Sequence, residues 1–203
     1  ILGIYAIVVK TFLKKKKILS IYKNQVAVLM IAFAIVYLAI FYLLGIIIND
    51  FYKQPILFNL TTLIRYIIPL SIIIASSEII RYTFLSQKAK IRLFNKEFDL
   101  IKPLTFINMV LIDLIIYTGV YDLSNYNDFL TVIGFTLFAS ISCNLFYNYI
   151  ASRYGTLGVI IYRLITVLYI YIIPIVPNVY IYFRAFLRMI YPYILFLILE
   201  HTY

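Results

Sequence analysis

Apolar residues run along this chain in blocks about as long as a membrane is thick, and polar residues gather between the blocks rather than alternating within them. A helix needs about 20 apolar residues to cross the hydrocarbon core, with a tolerated range of about 17 to 25. Blocks at 25–48, 57–80, 101–120, 129–150, 157–176 and 181–200 fit that length, and a shorter apolar stub precedes them at 1–12. The pattern predicts six full spans plus the exit half of another. Isoleucine and tyrosine are abundant and favour strands in water. Segment length overrides that preference: membrane strands alternate and run about ten residues, whereas a lipid-embedded helix satisfies its backbone within one segment. The expected fold class is all-α, a polytopic transmembrane bundle forming one membrane domain over 1–203, because the connections are too short to hold a soluble core. Pro174 and Pro177 are expected to end the 157–176 span, and Pro69 and Pro192 to kink theirs.

Composition agrees with a chain solvated by lipid. Hydrophobic residues make up 65% and charged residues 13%, with a mean hydropathy of +1.00, whereas soluble domains are about a quarter charged. The single cysteine, Cys143, lies in a span and has no partner within the chain. The chain opens inside an apolar run at Ile1 and closes at His201-Thr202-Tyr203 after another, so both ends are expected to be cuts in a longer protein. The first run lacks the leading charged region of a signal peptide.

Charge gives the spans a direction, because short cytoplasmic loops retain Lys and Arg. The first connection carries Lys10, Lys14, Lys15, Lys16, Lys17 and Lys23, and the third carries Arg81, Lys88, Lys90, Arg92, Lys96 and Lys102. Both are expected to be cytoplasmic. Connection 49–56 holds only Asp50 and Lys53, and 121–128 holds Asp122 and Asp128 without a base, so both are expected outside. Arg153 marks the fifth connection as inner, and the sixth, from Pro177 to Tyr180, has no base before Arg184. This alternation leaves the C-terminus of the sequence cytoplasmic. The net charge of +10 reads as a topogenic signal and a contact with anionic headgroups. Nucleic acid is not an expected partner, since the bases are divided among short loops with no reader module. Tyrosines such as Tyr121, Tyr126, Tyr147, Tyr149 and Tyr154 are expected to form an interfacial aromatic belt.

Polar groups at bilayer depth are the candidate functional residues, because each charge there costs about 2.5–3.5 kcal/mol unless partnered. Asp113 falls in the outer half of the fourth segment, Arg65 in the third, and Arg163 in the cytoplasmic third of 157–176. Asn144 and Asn148 lie four apart on one helical face. Asp113 is expected to pair with Arg65 or Arg163, as a structural ion pair or as part of a substrate or ion path. The asparagines are expected to join helices by hydrogen bonds. Glu78 and Arg81, one turn apart at the end of 57–80, are expected to form a pair at the interface. Intramembrane proteases of the CAAX-processing type carry a Glu-Glu-x-x-x-Arg motif with histidines. Here the second Glu is missing and the only histidine is His201, so no metal site or cofactor is expected.

The most distinctive stretches are Tyr154-Gly155, Ile161-Tyr162-Arg163 and Ile173-Pro174-Ile175-Val176-Pro177-Asn178, preceded upstream by Ser76-Ser77-Glu78-Ile79-Ile80-Arg81. In these, residues 60–199 resemble the multi-span N-terminal region of signal peptidase I-like proteins from low-GC Gram-positive bacteria. The resemblance implies a bacterial cytoplasmic membrane protein. It also implies a catalytic Ser-Lys pair in a separate extracytoplasmic domain, whose Ser-Gly-Ser-Met-x-Pro-Thr motif is absent from this sequence. The partners implied are signal peptides, that catalytic domain and the bilayer. The expected function is then to anchor or present hydrophobic signal segments. A transporter or flippase-like protein for lipid-linked sugars or polysaccharide assembly is the alternative, and a non-catalytic membrane scaffold is the second.

Overall fold

The computed structural model describes residues 2–12, 21–56, 58–87, 90–93, 96–118 and 125–202. Lys14, Lys15, Lys16, Lys17 and Lys88, and the 121–124 part of an expected outer connection with Tyr121 and Asp122, lie outside the described residues. The described residues form seven helices: α1 (Leu2–Phe12), α2 (Lys23–Ile48), α3 (Leu60–Leu85), α4 (Ile101–Thr118), α5 (126–154), α6 (Leu157–Ile172) and α7 (Ile181–Thr202). Four of them, α2, α3, α5 from Asp128 to Tyr154, and α7, are long and apolar enough to cross a membrane. Helix α6 is apolar but has 16 residues, and α4 has 18.

Helix ends depart from the sequence expectation where a local interaction decides them. Helix α3 starts after Asn59, whose side chain accepts the Thr62 amide at 2.7 Å, and continues to Leu85 rather than stopping near residue 80. Arg81 is therefore a helical residue 1% exposed, not a loop base, and the Glu78–Arg81 pair lies inside the bundle rather than at its interface. That burial is tolerable because the charges compensate one another, as described below. At the other end of α3, Pro69 cannot donate to the carbonyl of Arg65. One π-helical turn, Leu63–Ile67, absorbs the mismatch, with Ile68 N–H donating to Leu63. A second π turn, Val132–Leu137, lies within α5, and α7 continues through Pro192.

Helix α6 stops at Ile172, short of the expected 176, because Ile173 turns extended ahead of Pro174. Residues 175–177 instead form a strand. Two short ladders accompany the helices: β1 (Phe51–Lys53) pairs antiparallel with β4 (Ile175–Pro177), and β2 (Lys90–Leu93) pairs with β3 (Lys96–Asp99) inside the basic third connection. Asn178 Nδ2 donates to Asp50 Oδ2 at 2.9 Å beside the first ladder, and Tyr42 OH donates to the Ile175 carbonyl at 2.8 Å. Connections 49–56 and 173–178 thus share one end of the molecule. A Cβ on Gly155, held at φ +88° between α5 and α6, would lie 3.9 Å from Lys23 Cε, so the basic first connection and the Arg153 connection also share an end.

The packing departs from that of a water-soluble domain at the buried charges and at the outer faces. Glu78, Arg81 and Asn144 are buried, while Ile35, Leu43, Ile47, Ile64, Ile72, Leu104, Ile107, Leu111 and Ile115 are exposed. Lipid-facing surface accounts for that arrangement, since apolar outward faces of this extent are rare on soluble monomers. The main apolar core joins α2, α5, α6 and α7 through Met30, Phe33, Phe146, Ile150, Val159, Tyr191 and Leu195, and Tyr191 OH donates to the Phe33 carbonyl at 2.6 Å. Tyr147 and Tyr154, expected in an interfacial belt, are buried in this core. Helix α1 packs on α3, and Ala6, Ile80 and Met109 of α1, α3 and α4 form a second buried cluster.

Helices α2 and α6 approach closely at Gly158, where an added Cβ would sit 3.1 Å from Met30 Cγ and 3.5 Å from Ala27 Cα. Gly158→Leu is expected to destabilise the bundle by about 1–3 kcal/mol through overpacking. Unfolding in mixed detergent micelles measures it, and an unchanged midpoint would show that these helices do not meet there.

Candidate functional site

Four helices deliver charged or amide side chains to one place. On α3, the 74, 77, 78 and 81 positions share a face, which turns Ser77, Glu78 and Arg81 inward. On α5, Ser140, Asn144 and Asn148 follow one another at four-residue spacing. Asp113 comes from α4 and Arg163 from α6.

These side chains close a ring. Arg81 Nε donates to Glu78 Oε2 at 2.8 Å, its Nη2 donates to Asn144 Oδ1 at 2.6 Å, and its Nη1 donates to Asn148 Oδ1. Asn144 Nδ2 donates to Asp113 Oδ2 at 2.7 Å, and Ser140 Oγ donates to the same oxygen at 2.8 Å. Arg163 completes the circuit. Its Nη2 lies 3.9 Å from Asp113 Oδ1, and its Nη1 donates to Glu78 Oε1 at 2.5 Å and to Ser77 Oγ at 3.0 Å. The order is Glu78, Arg81, Asn144, Asp113, Arg163 and back to Glu78, with two carboxylates balancing two guanidiniums. The Tyr147 ring lies 5.6 Å from the Arg81 guanidinium and 5.5 Å from that of Arg163, adding a π face to both cations.

The ring is graded in burial. Glu78 is fully buried and Arg81 nearly so, whereas the side chains of Arg163 and Asp113 are 15% and 19% exposed. The long Asp113–Arg163 contact is therefore its weakest link, and it faces a cavity of about 240 Å³ between α2, α4, α5, α6 and α7. Asp113, Tyr37, Tyr147, Arg163, Arg184 and Arg188 are among the cavity-lining residues.

Of the sequence-derived candidates, Glu78, Arg81, Asp113, Asn144, Asn148 and Arg163 converge here. Arg65 does not: it lies exposed in the π turn of α3, and Asp113 meets Arg163. Ser77, Ser140, Tyr147, Arg184 and Arg188 were not among the candidates. The two arginines of α7 carried a signal, since they stand at the base-poor end of a span, against the charge alternation.

The arrangement holds charge and orients helices. Ser77 Oγ donates to the Ile74 carbonyl at 2.8 Å while accepting from Arg163, so its proton points away from any base. Among the described residues no group of three or more His, Cys, Asp or Glu side chains is placed to hold a metal ion. Compared with models of known families, with curated proteins and with solved structures, the chain matches none.

Proposed function

We propose that this chain is the membrane-embedded region of a signal peptidase I-like protein, anchoring and presenting hydrophobic signal segments to a catalytic domain outside this sequence. One observation carries the reading. The two stretches on which the resemblance rests, 76–81 and 153–178, are distant in sequence yet meet side chain to side chain, because Arg163 bonds both Ser77 and Glu78. The contact makes the two stretches one structural unit, as an interhelical lock requires.

In this reading the bundle crosses the bacterial cytoplasmic membrane six times. Helices α4 and α6 join the four longer ones, spanning about 27 Å and about 24 Å at about 1.5 Å per residue, against a hydrocarbon core of about 30 Å. Helix α6 is tolerated at that length because α2, α3 and α5 pack around it. The basic connections and the C-terminal end of α7 lie in the cytoplasm, and the β1–β4 ladder lies outside. Single cysteines at Lys53 and Lys96 test this orientation. An impermeant maleimide added to intact cells is expected to label Lys53→Cys and spare Lys96→Cys, and the reverse pattern would overturn it.

The function is tested in the full-length protein with a photoreactive residue at Thr136 or Thr166, which line the cavity with Asp113 and Arg163. Crosslinks to an arrested signal peptide are expected there and not at Tyr5 on α1. Their absence would remove the reading. The arginine-lined cavity favours a second reading, a flippase-like protein for lipid-linked sugars, in which the cavity takes the phosphate and not the sugar. Flipping unaffected by Asp113→Asn and Arg163→Gln would remove that one.

A further inference from the structure

We propose that the cavity beside the ring is a binding site for a phosphate ester group, held by Arg163 of α6 and Arg184 and Arg188 of α7. The site does not depend on the signal-peptidase reading. Three arginines and one carboxylate, Asp113, line the cavity, and Glu78 behind Arg163 takes up part of that charge, so Arg184 and Arg188 add positive charge beyond the balanced ring. Asp113 is already engaged, with Oδ2 accepting from Ser140 and Asn144 and Oδ1 facing Arg163.

Arg184 supplies the second observation. Its Nε is buried without a hydrogen-bond partner among the described residues, and its guanidinium lies 5.6 Å from the Phe41 ring centroid. A buried donor without an acceptor is costly, so the Arg184 guanidinium is one whose hydrogen bonding the protein leaves incomplete. Arg184 and Arg188 lie four apart and therefore on one face of α7. Their planar forks match the oxygens of a phosphate better than those of any neutral group. At about 240 Å³ the cavity is smaller than the roughly 300–1,000 Å³ of ordinary ligand pockets, so it takes a phosphate with a small substituent rather than an oligosaccharide.

That chemistry has two sources, an anionic phospholipid headgroup or a soluble phosphate ester. Native mass spectrometry of the full chain from phosphatidylcholine nanodiscs containing phosphatidylglycerol tests the first, and calorimetric titration with glycerol 3-phosphate in neutral detergent tests the second. One arm is expected to show a saturable site, one ligand per chain. Binding should weaken about tenfold or more in Arg184→Gln/Arg188→Gln. It should weaken similarly in Ala139→Leu, which fills the cavity without altering charge and separates loss of the site from loss of charge balance. Arg184→Lys should retain part of the affinity. Retention of lipid alone identifies a headgroup site, and binding of glycerol 3-phosphate identifies a soluble ligand. Binding in neither arm, or equal binding by wild type and by monodisperse forms of both cavity variants, overturns the proposal.

Discussion

Glu78→Ala is expected to lower the unfolding free energy by about 3–5 kcal/mol, the range for removing one partner of a buried ion pair. Glu78 is 0% exposed and binds two guanidiniums, so its loss leaves Arg81 without a carboxylate partner and Arg163 with only the 3.9 Å contact to Asp113. Coulomb repulsion between them adds to the lost hydrogen bonds. The contrast with Asp113 makes this specific to the ring. Asp113 is 19% exposed on its side chain and 3.9 Å from Arg163, so Asp113→Asn should cost less than half as much. Denaturation in mixed micelles ranks the two variants. Equal losses would mean that burial does not grade the ring.

Arg81→Lys is expected to cost about 2–3 kcal/mol even though it keeps the charge, with the loss read from the same denaturation midpoint. Arg81 uses all three nitrogens, Nε toward Glu78, Nη1 toward Asn148 and Nη2 toward Asn144. A lysine ammonium is a point charge on a flexible stem and cannot span acceptors set in a plane on two helices. It would satisfy Glu78 or the asparagines, leaving the other side unpaired. Arg81→Lys as stable as wild type would show that charge alone matters at this position.

The apolar blocks made the helices legible because length and continuity are local properties of a sequence. The succession of spans likewise puts alternate connections at one end: 49–56 pairs with 173–178, and Lys23 approaches Gly155. What stayed hidden was non-local. Nothing near Phe51–Lys53 announces a strand partner at Ile175–Pro177, since the ladder depends on how α2 and α6 dock. The polar residues of the ring were individually conspicuous, but their pairing was not. Glu78 and Arg81 looked interfacial because a charged residue normally ends an apolar run. The missed signal was that Tyr82-Thr83-Phe84-Leu85 continues the helix beyond Arg81, which places both charges more than a turn inside it. Arg65 shows the converse. As a charge within a predicted span it is, with Arg163, one of two expected partners for Asp113, yet its position on the helix turns it outward.

The ring as an interhelical lock joining 76–81 to 153–178 is tested most directly by a double-mutant cycle on Glu78 and Arg163. Glu78→Ala, Arg163→Ala and the double variant are unfolded in the same mixed micelles, and the coupling energy is taken from the three losses. A direct buried pair predicts strong non-additivity, with the double variant less destabilised than the sum of the singles by more than about 1 kcal/mol. Losses that add within about 0.5 kcal/mol would contradict the contact, and with it the lock.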